Sequence, residues 1–82
     1  MGKKPRSRPE HLAEKLLAIR SKLGVSQIQM AKLLKADAAQ YKHLTEYEHG
    51  RREPNLLLIL KYARLAEVPV ENLIDDNLDL PF

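Results

Sequence analysis

The chain has no cysteine, which excludes disulfides and thiolate metal sites and removes any pointer to an oxidising compartment. Its longest uninterrupted apolar run, Leu56 to Leu60, falls far short of the ~20 residues that span a bilayer and of the ~7–15 of a signal-peptide core. A soluble, cytoplasmic protein with no membrane partner is therefore expected. Glycine is scarce, with three residues in all and no cluster, so no phosphate-cradling loop can be built. No nucleophile stands beside a general base, and His11, His43 and His49 lie apart with no carboxylates or cysteines at ligand spacing. No catalytic residue, metal, cofactor or small-molecule effector is expected. At 82 residues, the chain is one small domain that buries roughly 60–65% of the surface its unfolded form exposes.

Basic residues are missing from the C-terminal end. Residues 1–64 carry 14 Lys plus Arg against 6 Asp plus Glu, whereas residues 65–82 carry Glu67, Glu71, Asp75, Asp76 and Asp79 and no base. A basic body suits a polyanion partner and an acidic end suits a different neighbour; an ordinary solvated surface is the alternative.

The pattern reads as helix almost throughout. Pro9 can open a first helix whose stripe Leu12, Leu16, Ile19 and Leu23 stops at Gly24. Ser26 with Gln29 forms a capping box, and Val25 can staple onto Met30. Asp37 with Gln40 repeats the box, and Tyr41, Leu44 and Tyr47 follow on one face until Gly50 supplies a left-handed stop. Asn55 can cap a fourth helix that buries Leu56, Ile59, Leu60, Ala63 and Ala66, leaving Leu57, Leu58 and Leu65 off the stripe. Pro69 begins a short last helix with Val70, Leu73 and Ile74 inward. At the end Leu78, Leu80 and Phe82 alternate with polar residues and proline, in a tail that is either frayed or paired with something. These features predict an all-α, compact five-helix domain over residues 10–76, preceded by a basic arm at 1–9 and followed by an acidic, apolar tail at 77–82.

The combination Ser26-Gln27, Met30-Ala31, Leu34, Leu44, Tyr47-Glu48 with Gly50, Pro54-Asn55-Leu56 and Val68, Val70, Leu73 resembles the phage repressor and Cro family of helix-turn-helix domains. The resemblance covers roughly residues 12–75. It implies a lambda-repressor-like bundle that binds double-stranded operator DNA through its third helix, usually as a homodimer.

Carried onto this chain, the resemblance makes Gln27 the glutamine that fixes the domain to a phosphate, helped by Ser26 and the free amides at that helix start. The base-reading positions fall on Tyr41, Lys42, His43 and Glu46, with Gln40 and Thr45 beside them. Lys42 suits a guanine edge, Gln40 an adenine, and Glu46 a cytosine amine. His49, Arg51 and Arg52 would lie along the phosphate backbone. Tyr41 can equally pack, Glu46 can equally pair with Lys42, and Arg51 and Arg52 can equally form a solvated turn. An ion pair between Arg20 and Glu48 is also implied.

The chain departs from the family in its turn. From Ala31 to Gly50 there are about three more residues than usual, almost one helical turn, and Lys35 stands where a glycine is normal. Either the turn is longer or the third helix begins earlier, after Asp37; the Asp37–Gln40 box favours the second. Leu57, Leu58, Leu78, Leu80 and Phe82 are the candidate dimer surface, which would set two recognition helices ~34–36 Å apart on a pseudo-palindromic site. The arm residues Lys3, Lys4, Arg6 and Arg8 can reach along DNA or form a disordered leader. Regulation of transcription, by steric occupancy as a repressor, is the expected function. The alternatives are a non-specific architectural DNA binder or a protein-interaction module, such as an antitoxin whose acidic tail wraps a basic toxin.

Overall fold

The computed structural model describes residues 8–82; Lys3, Lys4 and Arg6 of the basic arm lie outside them. Five helices follow one another: α1 (Leu12–Leu23), α2 (Gln27–Leu34), α3 (Ala38–Glu48), α4 (Leu56–Ala66) and α5 (Glu71–Ile74). No helix among the described residues is long and apolar enough to cross a membrane.

Local chemistry sets most of the boundaries. Ser26 and Asp37 each accept the amide three residues on, while Gln29 and Gln40 return a side-chain oxygen to the cap residue's own N–H. Each box satisfies two backbone donors that a helix start leaves open. Asn55 caps α4 by accepting the Leu58 amide. Left-handed residues end four of the segments: Gly24 and Gly50 after α1 and α3, and Lys35 and Glu67 after α2 and α4.

The start of α1 differs from the sequence expectation. Pro9 lies before the helix, which begins at Leu12 without a side-chain cap from His11. Instead, the carboxylate of Asp76 accepts the amides of Glu10 at 2.8 Å and His11 at 3.1 Å. A residue from the far end of the chain thus supplies the acceptors that a local cap would provide. These two bonds hold the Asp76 carboxyl below its ordinary pKa.

The core gathers where α1, α2, α3 and α4 meet, around Leu16, Ile19, Met30, Leu34, Leu44 and Tyr62, and α5 adds Leu73. In α4 the inward residues are Leu58, Ile59, Tyr62 and Ala63. Leu58 is therefore core and is lost as a dimer candidate, while Leu56, expected inside, is 78% exposed. The run of leucines has no polar interruption to reveal its register, and a one-position shift moves the stripe by about 100°. At the ends of their stripes, Leu23 and Ile74 are exposed.

The tail is tied down. Lys15, buried on α1, donates its ammonium to the carbonyls of Asp75 at 3.0 Å and Leu78 at 2.7 Å. Asn72 donates to the Asp79 carbonyl. Leu80 packs against the core, and the Phe82 ring sits under the Lys22 ammonium at 5.4 Å. Of the other dimer candidates, Leu57, Leu78 and Phe82 stay exposed and Leu80 is largely taken up by its own chain.

Candidate nucleic-acid interface

The turn between α2 and α3 is short, so the additional residues lengthen the helix. Lys35 adopts φ +52° and lets the Ala36 amide bond back to the Ala31 carbonyl at 2.9 Å. Asp37 then caps α3, whose first residue is Ala38. A lysine here carries the steric cost that glycine avoids.

The faces of α3 divide cleanly. Leu44, Tyr47 and Glu48 are buried, anchoring the helix to the core. Ala38, Tyr41, Lys42, Thr45 and His49 are exposed, and their spacing of three and four residues forms one stripe facing solvent. Gln40, His43 and Glu46 lie between these faces and are half-buried.

The half-buried residues are engaged. Gln40 closes the cap through its side-chain oxygen, leaving its amide NH2 outside that bond. Glu46 contacts His43 Nδ1 through Oε1 at 3.2 Å and accepts from Arg52 Nε through Oε2 at 3.2 Å. Those hydrogen bonds, that from His43 first, hold its carboxyl below the ordinary value. The partners of Glu46 are therefore His43 and Arg52, where the sequence suggested Lys42 or a cytosine. His43 also meets the edge of the Tyr47 ring, and burial raises the Tyr47 phenol's pKa. His49 is exposed, with Nδ1 placed 2.7 Å from the Thr45 carbonyl. Arg51 is exposed just beyond the helix.

Behind the outer stripe, a polar chain joins three helices. Arg20 grips Glu48 through two bonds, Nε to Oε2 at 2.6 Å and Nη2 to Oε1 at 3.1 Å, and its Nη1 donates to the Val25 carbonyl at 3.1 Å. The Glu48 side chain is 2% exposed and that of Arg20 22%. Glu48 raises the guanidinium pKa, chiefly through hydrogen bonding. Gln27 Nε2 donates to Glu48 Oε1 at 2.9 Å, and Thr45 Oγ1 donates to Gln27 Oε1 at 2.9 Å. The sequence offered no sign of these last two bonds, whose partners are 21 and 18 positions apart.

Beside the stripe, α2 and the start of α3 form an open, largely apolar groove of about 320 Å³ lined by residues that include Ile28, Ala31, Ala38 and Tyr41 together with Lys32 and Lys35. Tyr41 is 48% exposed, so it lines this groove and does not pack inside.

A solved structure of the P22 c2 repressor protein in complex with a synthetic operator superposes with a TM-score of 0.67, at 20% identity, over 79% of this chain and 94% of that one. The chain has the lambda-repressor-like helix-turn-helix fold. No family model and no curated protein matches the sequence, so this likeness is one of backbone shape. Within that fold α2 and α3 are the helix-turn-helix pair, and α1, α4 and α5 form the support that holds α3 outward. Among the described residues, no group of three or more His, Asp or Glu is placed to hold a metal ion.

Proposed function

We propose that this protein binds double-stranded DNA in a sequence-specific way and regulates transcription, acting as a repressor by occupying its site. The observation that carries the reading is the exposed stripe of α3, with small Ala38, apolar-aromatic Tyr41 and cationic Lys42 on a helix whose start is held by a capping box. A helix of this kind fits the major groove, where Lys42 can donate to a guanine edge and Ala38 and Tyr41 can meet thymine methyls. The N-terminus of α2 supplies free amides for a phosphate, and Gln27 stands beside them. Arg51, Arg52 and His49 add backbone affinity without sequence information. Further support is the shared fold with a repressor whose structure contains an operator.

Gln40, His43 and Glu46 act in this reading as supports at the sides of the helix. Their polar groups are drawn into the cap and the His43–Glu46–Arg52 ladder. The protein works as a homodimer, with exposed Leu57, Leu78 and Phe82 available for pairing, on half-sites ~34–36 Å apart. The chemistry is binding alone, with no catalytic step or effector. The tail's bonds to α1 and α5 favour this reading over an antitoxin-like module, which needs that tail free.

Selection of bound duplexes from a random pool, followed by a salt titration, tests the proposal. A dyad consensus is expected, together with a log–log affinity slope of several units at ~0.9 per neutralised phosphate. Binding without any enriched sequence would leave only a non-specific DNA binder, and no binding at low salt would remove the nucleic-acid reading altogether.

A further inference from the structure

We infer that Thr45 is a positioning residue for Gln27 and donates no hydrogen bond to a base, although it stands on the exposed face of the recognition helix. The inference rests on the DNA-binding reading above. It follows from the direction in which the hydrogen bonds of the polar chain must run.

Arg20 can only donate, and it occupies both oxygens of Glu48. Glu48 is thereby held as a carboxylate that only accepts. The part of the Gln27 amide within 2.9 Å of Glu48 Oε1 must be the NH2 group. The carbonyl of Gln27 therefore points to Thr45, whose hydroxyl lies 2.9 Å away and must donate its single proton there. Every proton direction in the chain is fixed by the guanidinium of α1.

Two consequences follow. The Thr45 hydroxyl has no proton left for the acceptor atoms of a purine edge, since its one donor is spent on Gln27. Gln27, held at both ends of its amide, retains one unengaged Nε2–H at the start of α2, beside the helix amides. That N–H is a ready donor for a phosphate oxygen. Without the Thr45 hydroxyl, the Gln27 amide loses one of its two anchors, and its remaining donor is no longer held in place before DNA arrives. Preorganisation of this kind contributes to affinity through the ordering that binding no longer has to supply.

The test compares Thr45→Val, which keeps the shape and removes the hydroxyl, with Thr45→Ser, which keeps the hydroxyl. Both are measured by random-pool selection and by fluorescence anisotropy on the selected duplex across a salt series. Thr45→Val is expected to lower affinity by about fivefold on every duplex, the size of one net hydrogen bond, with the consensus unchanged. Its salt slope should stay that of the parent, because the neutral Gln27 amide neutralises no phosphate and releases no counterion. Thr45→Ser should retain the parent affinity, and Thr45→Val should add nothing in a Gln27→Ala background. A changed base preference at one position, or additive losses with Gln27→Ala, would overturn the inference. A readout free of DNA separates this proposal from the DNA-binding reading. The Gln27 side-chain NH2 resonances should be distinct and slow to exchange in the parent and lose that character in Thr45→Val. Identical resonances in the two proteins would also overturn it.

Discussion

Arg20 on α1 and Glu48 at the end of α3 form a two-point ion pair, with the carboxylate almost wholly withdrawn from water. The pair clamps α3 to α1 behind it. A buried carboxylate stripped of its partner is costly, so Arg20→Ala is expected to destabilise the domain by about 3–5 kcal/mol. Urea denaturation followed by circular dichroism measures this directly. Arg20→Lys retains the charge but not the two-pronged geometry and should fall between. An unchanged midpoint for Arg20→Ala would mean that the clamp carries no stability.

The two positive-φ residues around α3 should respond in opposite directions. Lys35 at φ +52° is an L-residue in left-handed space, and Lys35→Gly is expected to raise stability by about 0.5–1 kcal/mol. Gly50 at φ +74° has room for a methyl, with Ala13 Cβ at an ordinary 3.6 Å. Gly50→Ala should therefore cost only the backbone term, about 1 kcal/mol. Thermal unfolding of both variants checks the pair of signs.

Neighbouring leucines of α4 separate folding from the proposed dimer pairing. Leu58 is fully buried, so Leu58→Ala should cost about 2–5 kcal/mol. Leu57 is 70% exposed, and Leu57→Ala should leave the monomer's stability within about 0.5 kcal/mol. Sedimentation on a selected duplex tests the proposed pairing, which Leu57→Ala should weaken.

Asp76 gives the stability a dependence on acid. Its carboxyl pKa is depressed in the folded state by the Glu10 and His11 amides. The stabilisation is therefore complete above the unfolded carboxylate value near about pH 4 and is lost as pH falls through the lower folded value. Asp76→Ala is expected to lower the Tm at neutral pH, and the gap from the parent should close below about pH 4. A gap independent of pH would show that the carboxylate's charge is irrelevant to the cap.

What could be read from the sequence was governed by distance along the chain. The two capping boxes and the Asn55 cap are local, each closing over three residues, and they fixed where α2, α3 and α4 begin. The lengthened start of α3 followed from Asp37 and Gln40 in the same way. The inward face of α4 was not legible because Leu56 to Leu60 offers apolar residues in every direction. Only the packed position of Tyr62 reveals that Leu58, one turn before it, points inward.

The site divides along the same line. Tyr41 and Lys42 could be placed from helical spacing once the family resemblance supplied a frame. That Glu46 meets His43 and Arg52 was not legible, because a sequence shows which groups can bond and not which have already done so. Thr45 with Gln27, and Asp76 with Glu10 and His11, become partners only after the helices are packed. Lys15 does carry a signal in the sequence. It lies three residues after Leu12 and beside Leu16, on the buried face of α1, where a lysine needs a reason.

The claim on which the function rests is that the outward stripe of α3 reads bases while the residues beyond it hold phosphates. Random-pool selection with Lys42→Ala and Arg51→Ala, run beside the parent protein, measures this most directly. Lys42→Ala should alter the preferred base at one position of each half-site, a discrimination of about 1–3 kcal/mol. Arg51→Ala should weaken all duplexes alike and reduce the salt slope by about 0.9. The opposite pattern, with the consensus altered by Arg51→Ala and untouched by Lys42→Ala, would mean that α3 does not enter the groove as described.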